Sequence, residues 1–237
     1  MKPAEFDSHA AHYDGGLDNP IKRLMGSSPD QFIAVKARWL LRREPGLAAG
    51  SLAVLDYGCG AGDLLRVLAG LGARAAFTGC DVSIGMLAEV EKRWPAALGP
   101  APALAVQDGA RTPLGDGQFD IVTISAVLHH VPPAERGAVY RELGRVLKPD
   151  GRIYVFEHNP RNPLVRYVIA RTPIDENAIL LDEKEVRHGL LDTARYDIAS
   201  DYLMFMPPGI TFLRWLDRLL AWLPLGAQYV VAARKGA

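Results

Sequence analysis

Cysteine is nearly absent: Cys59 and Cys80 are the two in 237 residues, and neither sits in a metal-ligand spacing. That excludes a cysteine-based metal centre and makes a reduced, cytosolic setting the expectation. An excess of one charge is absent too, since 27 Lys plus Arg balance 27 Asp plus Glu. Nucleic-acid binding relies on basic groups that displace counterions, so a nucleic-acid partner is not expected. No apolar run approaches the roughly 20 residues of a membrane span. The opening "MKPAEFDSHAAHYD" has no stretch of signal-peptide character. Internal repeats and low-complexity tracts are missing as well.

Strand-like and helical patterns alternate instead. The strands are expected at 51–56, 74–81, 103–108, 119–125, 152–158, 196–206 and 227–234. Helices are expected at 63–71, 83–94 with Ser83 as cap, 133–147 with Pro133 near its start, and 181–194. "KPDG" (148–151) reads as a turn. Strands separated by helices imply parallel pairing with helices on both faces, an open α/β sheet. One domain over 1–237 is expected, with 1–45 as an N-terminal helical cap whose helix occupies 28–43. Residues 159–190, proline-rich at first, form an insertion contributing to an acceptor pocket. The segment 210–223 reads as an apolar helix with a narrow polar stripe, suited to core packing or a dimer contact, with a greasy acceptor or membrane surface as the sharper alternative.

"VLDYGCGAG" (54–62) joins the first strand to the first helix. In open α/β sheets ligands bind beyond the carboxyl ends of the strands, and glycines there tolerate a tight turn and leave room for a ligand. A dinucleotide and an adenosyl cofactor both use such a turn. The dinucleotide pattern G-x-G-x-x-G puts its third glycine where this chain has Asp63, an acid at the helix start that repels pyrophosphate. The spacing G-x-G-x-G fits Gly58, Gly60 and Gly62, and Asp56 just before them suits a cationic, phosphate-free nucleoside.

This stretch resembles the first motif of the class I S-adenosylmethionine-dependent methyltransferases, D-x-G-x-G-x-G. "GCDVSIGML", "VQDGARTPLGDGQFDIV", "ISAVLHHV" and "LGRVLKPDGRIYVFE" follow in the family's order, with Asp150 where the family often has glycine. The resemblance implies a Rossmann-like, seven-stranded, mostly parallel sheet of order 3-2-1-4-5-7-6 with its last strand antiparallel. It also implies S-adenosylmethionine as cofactor, with S-adenosylhomocysteine as product. Asp81 would then accept hydrogen bonds from the ribose hydroxyls, and Asp108, beside Gly109, would meet the adenine amino group. Asp56, Val82, Met86, Ser125 and His129 would join the three glycines around the cofactor, with Tyr13 in the N-terminal lid.

Methyl transfer from a sulfonium needs positioning above all, and a base only where the nucleophile must lose a proton. His130, Glu157 and His158 follow strand ends and are the candidate bases. A metal site is not expected, because the adjacent His129 and His130 should not share one face and no helix carries two ligands at i and i+4. Arg161, Arg166 and Arg171 either clasp an anionic acceptor or form a solvated basic face. The expected activity is methylation of a small molecule, apolar or acidic, at oxygen. A protein that binds the cofactor without transferring its methyl group is the alternative, and a monomer or homodimer fits either.

Overall fold

The computed structural model describes residues 29–206, 212 and 214–236. Tyr13 and most of the N-terminal cap lie outside the described residues, as do 210, 211 and 213 of the expected apolar helix.

Seven strands form one sheet: β1 (Ala53–Tyr57), β2 (Ala76–Asp81), β3 (Ala103–Val106), β4 (Phe119–Ser125), β5 (Leu147–His158), β6 (Tyr196–Leu203) and β7 (Gln228–Lys235). Their order is β3-β2-β1-β4-β5-β7-β6, with β7 antiparallel to both neighbours and the other pairings parallel. This is the expected Rossmann-like topology. The helices are α1 (Pro29–Arg43), α2 (Asp63–Gly70), α3 (Ile84–Arg93), α4 (Pro133–Val146), α5 (Pro163–Ile169), α6 (Glu183–Leu191) and α7 (Arg214–Leu219). Among the described residues no helix is long and apolar enough to cross a membrane.

Successive strand side chains point to opposite faces, so apolar runs such as "RIYVFE" feed two cores at once. Leu55, Ile153 and Val155 face a core shared with α4 and α6, through Val139, Leu143, Val186 and Leu190. Val54, Tyr154 and Phe156 face the opposite core, closed by Ala37 and Leu40 of α1 and Leu64 and Leu68 of α2. Trp39 meets the rings of Tyr154 and Phe156 edge-on, with centroids 5.6 and 5.8 Å away. The α1 register therefore anchors a helix over the carboxyl end of the sheet.

Three expectations need correction. "KPDG" is not a turn before β5 but lies inside it: Leu147 pairs with Phe119 and Arg152 with Ile121, and the intervening residues bulge outward. Asp150 takes a φ of 60° there, the conformation glycine adopts more easily. Strand β6 stops at Leu203 rather than residue 206, because Met204 has a φ of 61°. The described helix α7 ends at Leu219 rather than residue 223, and its exposed Trp215 and Leu219 overturn the core-packing alternative of that expectation.

Candidate functional site

The sheet's carboxyl edge opens into a cavity of about 370 Å³. Its floor is the loop between β1 and α2. Gly58, Gly60 and Gly62 all have left-handed φ values, of 70°, 53° and 75°. A Cβ on Gly58 would stand 2.5 Å from Val127 Cγ2, and one on Gly62 2.9 Å from Val90 Cγ1, so no side chain fits either position. Gly58 and Gly60 line the cavity, whereas Gly62 faces α3.

Two acids frame this loop. Asp81, at the end of β2, accepts from Gly60 N through Oδ2 and from Ser83 N through Oδ1, each at 2.9 Å. It thereby fixes the glycine turn to the start of α3, where Ser83 Oγ accepts from Met86 N at 3.1 Å. Asp81 and Met86 both line the cavity, while Val82 is buried and does not. Asp56, 2% exposed, also reaches the wall, and Thr123 Oγ1 lies 2.7 Å from its Oδ1. Burial pushes the Asp56 pKa up to about 7, against the opposing effects of the Thr123 hydrogen bond and the Lys36 charge.

Lys36 is a site residue that strand-end motifs do not reveal. It is buried on the face of α1 turned to the sheet, lines the cavity, and donates to Ser125 Oγ at 2.9 Å. Its only sequence signal is a polar residue amid the apolar spacing of Phe32, Ile33, Ala37 and Leu40.

A second group of side chains faces the glycine loop. β4 ends at Ser125, and Ala126 at a φ of 58° reverses the chain into a short 3-10 turn, Leu128–His130. Glu157 near the end of β5 organises this turn. Its Oε1 accepts from Val127 N at 3.0 Å and Leu128 N at 2.8 Å, and its Oε2 lies 2.7 Å from His129 Nδ1. Fully buried, Glu157 sits behind the cavity wall rather than on it. Burial disfavours its charge, yet His129 and these hydrogen bonds hold its pKa down at about 2.

His129, His130 and His158 line the cavity together. The rings of His130 and His158 lie 4.2 and 5.2 Å from that of His129, centroid to centroid. Burial opposes charge on His129, but Glu157 and Asp175 outweigh it and push its pKa up to about 9. Burial, then the His129 charge, drives His158 down to about 3. The expectation that His129 and His130 diverge fails, because the 3-10 turn brings both Nε2 atoms to one carboxylate. Asp175 Oδ1 is 3.4 Å from His129 Nε2 and 3.5 Å from His130 Nε2.

Asp175 belongs to the insertion, and nothing in "RTPIDENAIL" marks it in advance. The insertion reaches the histidines because Ile179 N donates to His129 O at 2.7 Å and Arg136 Nη2 to Ile179 O at 2.6 Å. It also supplies Val165, Val168, Ile169 and Ile174, an apolar wall completed by Met204 and Phe205.

Other expected residues are not brought here. Asp108 and Gly109 are exposed beyond β3, where Asp108 N donates to Arg111 O at 2.9 Å in a tight turn, and neither lines the cavity. Arg161, Arg166 and Arg171 are exposed too. Arg161 pairs with Asp182 at 3.2 Å and Arg171 stacks 3.7 Å over the Tyr167 ring. They form the solvated face rather than an anion clasp.

The site fits an adenosyl cofactor on its own chemistry. A bare-backbone cradle flanked by buried Asp56 and Asp81 would repel a pyrophosphate and accept a cation.

Comparison with known proteins agrees. The family described as "Methyltransferase domain" matches residues 54–151. A demethylmenaquinone methyltransferase of Mycolicibacterium vanbaalenii is 36% identical over 160 residues, covering 67% of this chain and 61% of that protein. A ubiquinone/menaquinone biosynthesis C-methyltransferase of Desulfotalea psychrophila is 33% identical over 159 residues, 65% of this chain and 57% of that one. The chain thus spans less than two thirds of either relative's length. Among solved structures, a SAM-dependent methyltransferase from Archaeoglobus fulgidus superposes with a TM-score of 0.61 at 18% identity, over 85% of this chain and 94% of that one. The magnesium protoporphyrin IX methyltransferase of Synechocystis PCC 6803 with bound SAM gives 0.59 at 23% identity, over 87% and 79%. At such identities these two show the fold alone. Residues 54–151 thus match a methyltransferase domain, and the described chain has the fold and strand order of these S-adenosylmethionine-dependent methyltransferase structures.

Proposed function

We propose that the chain transfers a methyl group from S-adenosylmethionine to a small, largely apolar, hydroxylated acceptor. The observation that carries this is one cavity with two unlike ends: an acid-flanked glycine cradle at the first, and a histidine cluster beside an apolar wall at the second. When bound, the cofactor supplies an electrophilic methyl on a neutral leaving group, so this chain's work is to hold, orient and exclude water.

The backbone of Gly58 and Gly60 leaves space for the nucleoside, and Asp81, on the cavity wall, turns its carboxylate to the ribose hydroxyls. Asp56 and Lys36, facing one cavity with opposite charges, match the ammonium and carboxylate of the cofactor's amino-acid portion. Val165, Ile169 and Met204 favour an apolar acceptor body through burial. His130 accepts the acceptor's hydroxyl hydrogen bond and takes up its proton, and the N–H of His158, held neutral, donates to the same oxygen as negative charge builds on it. Glu157 is a positioning residue: it fixes the His129 ring and the turn that carries His130.

Deprotonating the hydroxyl makes its oxygen the nucleophile, and methylation there is the leading reading. The Desulfotalea relative's name favours a second reading, transfer to ring carbon, because an aromatic oxyanion shares its charge with adjacent carbons. Methyl-labelled S-adenosylmethionine offered with reduced naphthoquinones and simple phenols tests the proposal, and mass spectrometry of the product assigns the atom. Tight S-adenosylhomocysteine binding without turnover on any acceptor supports a binding protein instead. Preference for NAD in calorimetry overturns the cofactor assignment.

A further inference from the structure

We infer that His129 Nε2, His130 Nε2 and Asp175 Oδ1 form a binding site for a divalent transition-metal ion of the zinc class. The three side chains present ligand atoms that all lie within 4.8 Å of one another. The two nitrogen-to-oxygen separations are 3.4 and 3.5 Å. A tetrahedral zinc site with bonds of about 2.0–2.1 Å has ligand-to-ligand edges of about 3.3–3.4 Å, so these atoms already stand near coordination spacing.

His129 gives independent support. Its Nε2 is buried, on a residue 1% exposed, and faces Asp175 Oδ1 at 3.4 Å without forming a well-aligned hydrogen bond to it. A nitrogen and a carboxylate oxygen held at this loose spacing leave room for an ion bridging them. Its opposite nitrogen, Nδ1, lies 2.7 Å from the Glu157 carboxylate. That carboxylate–histidine arrangement is the outer support that orients metal-ligating imidazoles and raises their basicity. Glu157 and Asp175 favour positive charge on His129, and a metal ion at Nε2 takes the place of the proton there.

Three protein ligands leave one tetrahedral position to be filled from the cavity that all three line, the pattern of an exchangeable rather than a closed structural site. His158 remains outside the ligand set. In the metal-loaded chain the ion, rather than His130, lowers the pKa of a hydroxyl that fills this position. That consequence rests on the proposed function, whereas the site itself does not.

The test is direct binding with zinc and cobalt(II) as probes. The full chain is stripped with a chelator, dialysed against zinc, desalted and assayed for metal. About one zinc per chain is expected to remain. Cobalt(II) should give the intense visible absorption of a four-coordinate ion, and zinc should bleach it. His130→Gln and Asp175→Asn, checked for folding by circular dichroism, should each lose the retained zinc and the cobalt band, whereas His188→Gln at an exposed position should keep both. A wild-type chain that retains no zinc and gives only the spectrum of hydrated cobalt overturns the site, whatever its methyl-transfer activity. So does zinc retained equally by folded Asp175→Asn.

Discussion

Glu157 holds His129 from behind: the carboxylate oxygen Oε2 is 2.7 Å from His129 Nδ1, and the other oxygen accepts two backbone N–H groups from the turn that carries the histidine. One buried side chain thereby couples the end of β5 to the segment after β4, across neighbouring strands. The acid appears among the expected bases because it sits at the end of a strand. Its surroundings make it a brace instead.

Glu157→Gln tests the brace. The amide keeps the shape but replaces a charged acceptor that serves four partners, and its NH₂ must face at least one donor. A stability loss of about 1–3 kcal/mol is expected, since a buried group left unsatisfied costs about that much. Chemical denaturation measures it. Wild-type stability in this variant would show that the carboxylate does not organise the turn.

Gly58→Ala probes the cradle. The new Cβ would meet Val127 Cγ2 at 2.5 Å on a backbone with a φ of 70°. Strain of this kind costs of order 1–3 kcal/mol, and relief requires Val127 or the loop to move. S-adenosylhomocysteine affinity should fall at least tenfold by calorimetry. Gly70→Ala, in a helix with open space around it, should leave affinity unchanged.

Asp81 serves loop and ligand at once, so two variants separate its roles. Asp81→Asn keeps one backbone acceptor and should weaken S-adenosylhomocysteine binding by about 1–3 kcal/mol. Asp81→Ala also releases Gly60 N and should additionally lower the melting temperature. Unchanged affinity in folded Asp81→Asn would remove Asp81 from the cofactor contacts.

The sheet, its order and the cofactor loop were legible because they rest on local rules. Strand period, helix spacing, the Ser83 cap and the glycine spacing each act within a few residues, and four segments in one order add to each other. What escaped depends on contacts distant in sequence. Lys36 meets Ser125 through the packing of α1, and Asp175 reaches His129 only because Ile179 and Arg136 pin the insertion. Neither has a spacing to read. The bulge at Lys148–Gly151 escaped for the opposite reason: "KPDG" is good turn sequence, but β4 pairing resumes beyond it and claims it for the strand.

Asp56 and Lys36 together predict how cofactor affinity depends on pH. Burial raises the Asp56 pKa from 3.8 to about 7, so the folded chain holds this proton more tightly than the unfolded one. Folding stability from this group is therefore greatest at low pH and falls as pH rises from about 3.8 to about 7, and Asp56→Asn should flatten that slope in thermal melts. A cationic ligand needs the ionised form, so S-adenosylmethionine should bind more tightly as pH rises through about 7. The Lys36 charge opposes the upward shift, and Lys36→Met should move the midpoint of this rise to higher pH while weakening binding at neutrality. Calorimetric titration of wild type and both variants across this range measures the midpoints. If Asp56→Asn keeps the wild-type pH profile, the titrating group is not Asp56, and the pairing of Asp56 with the cofactor's ammonium fails with it.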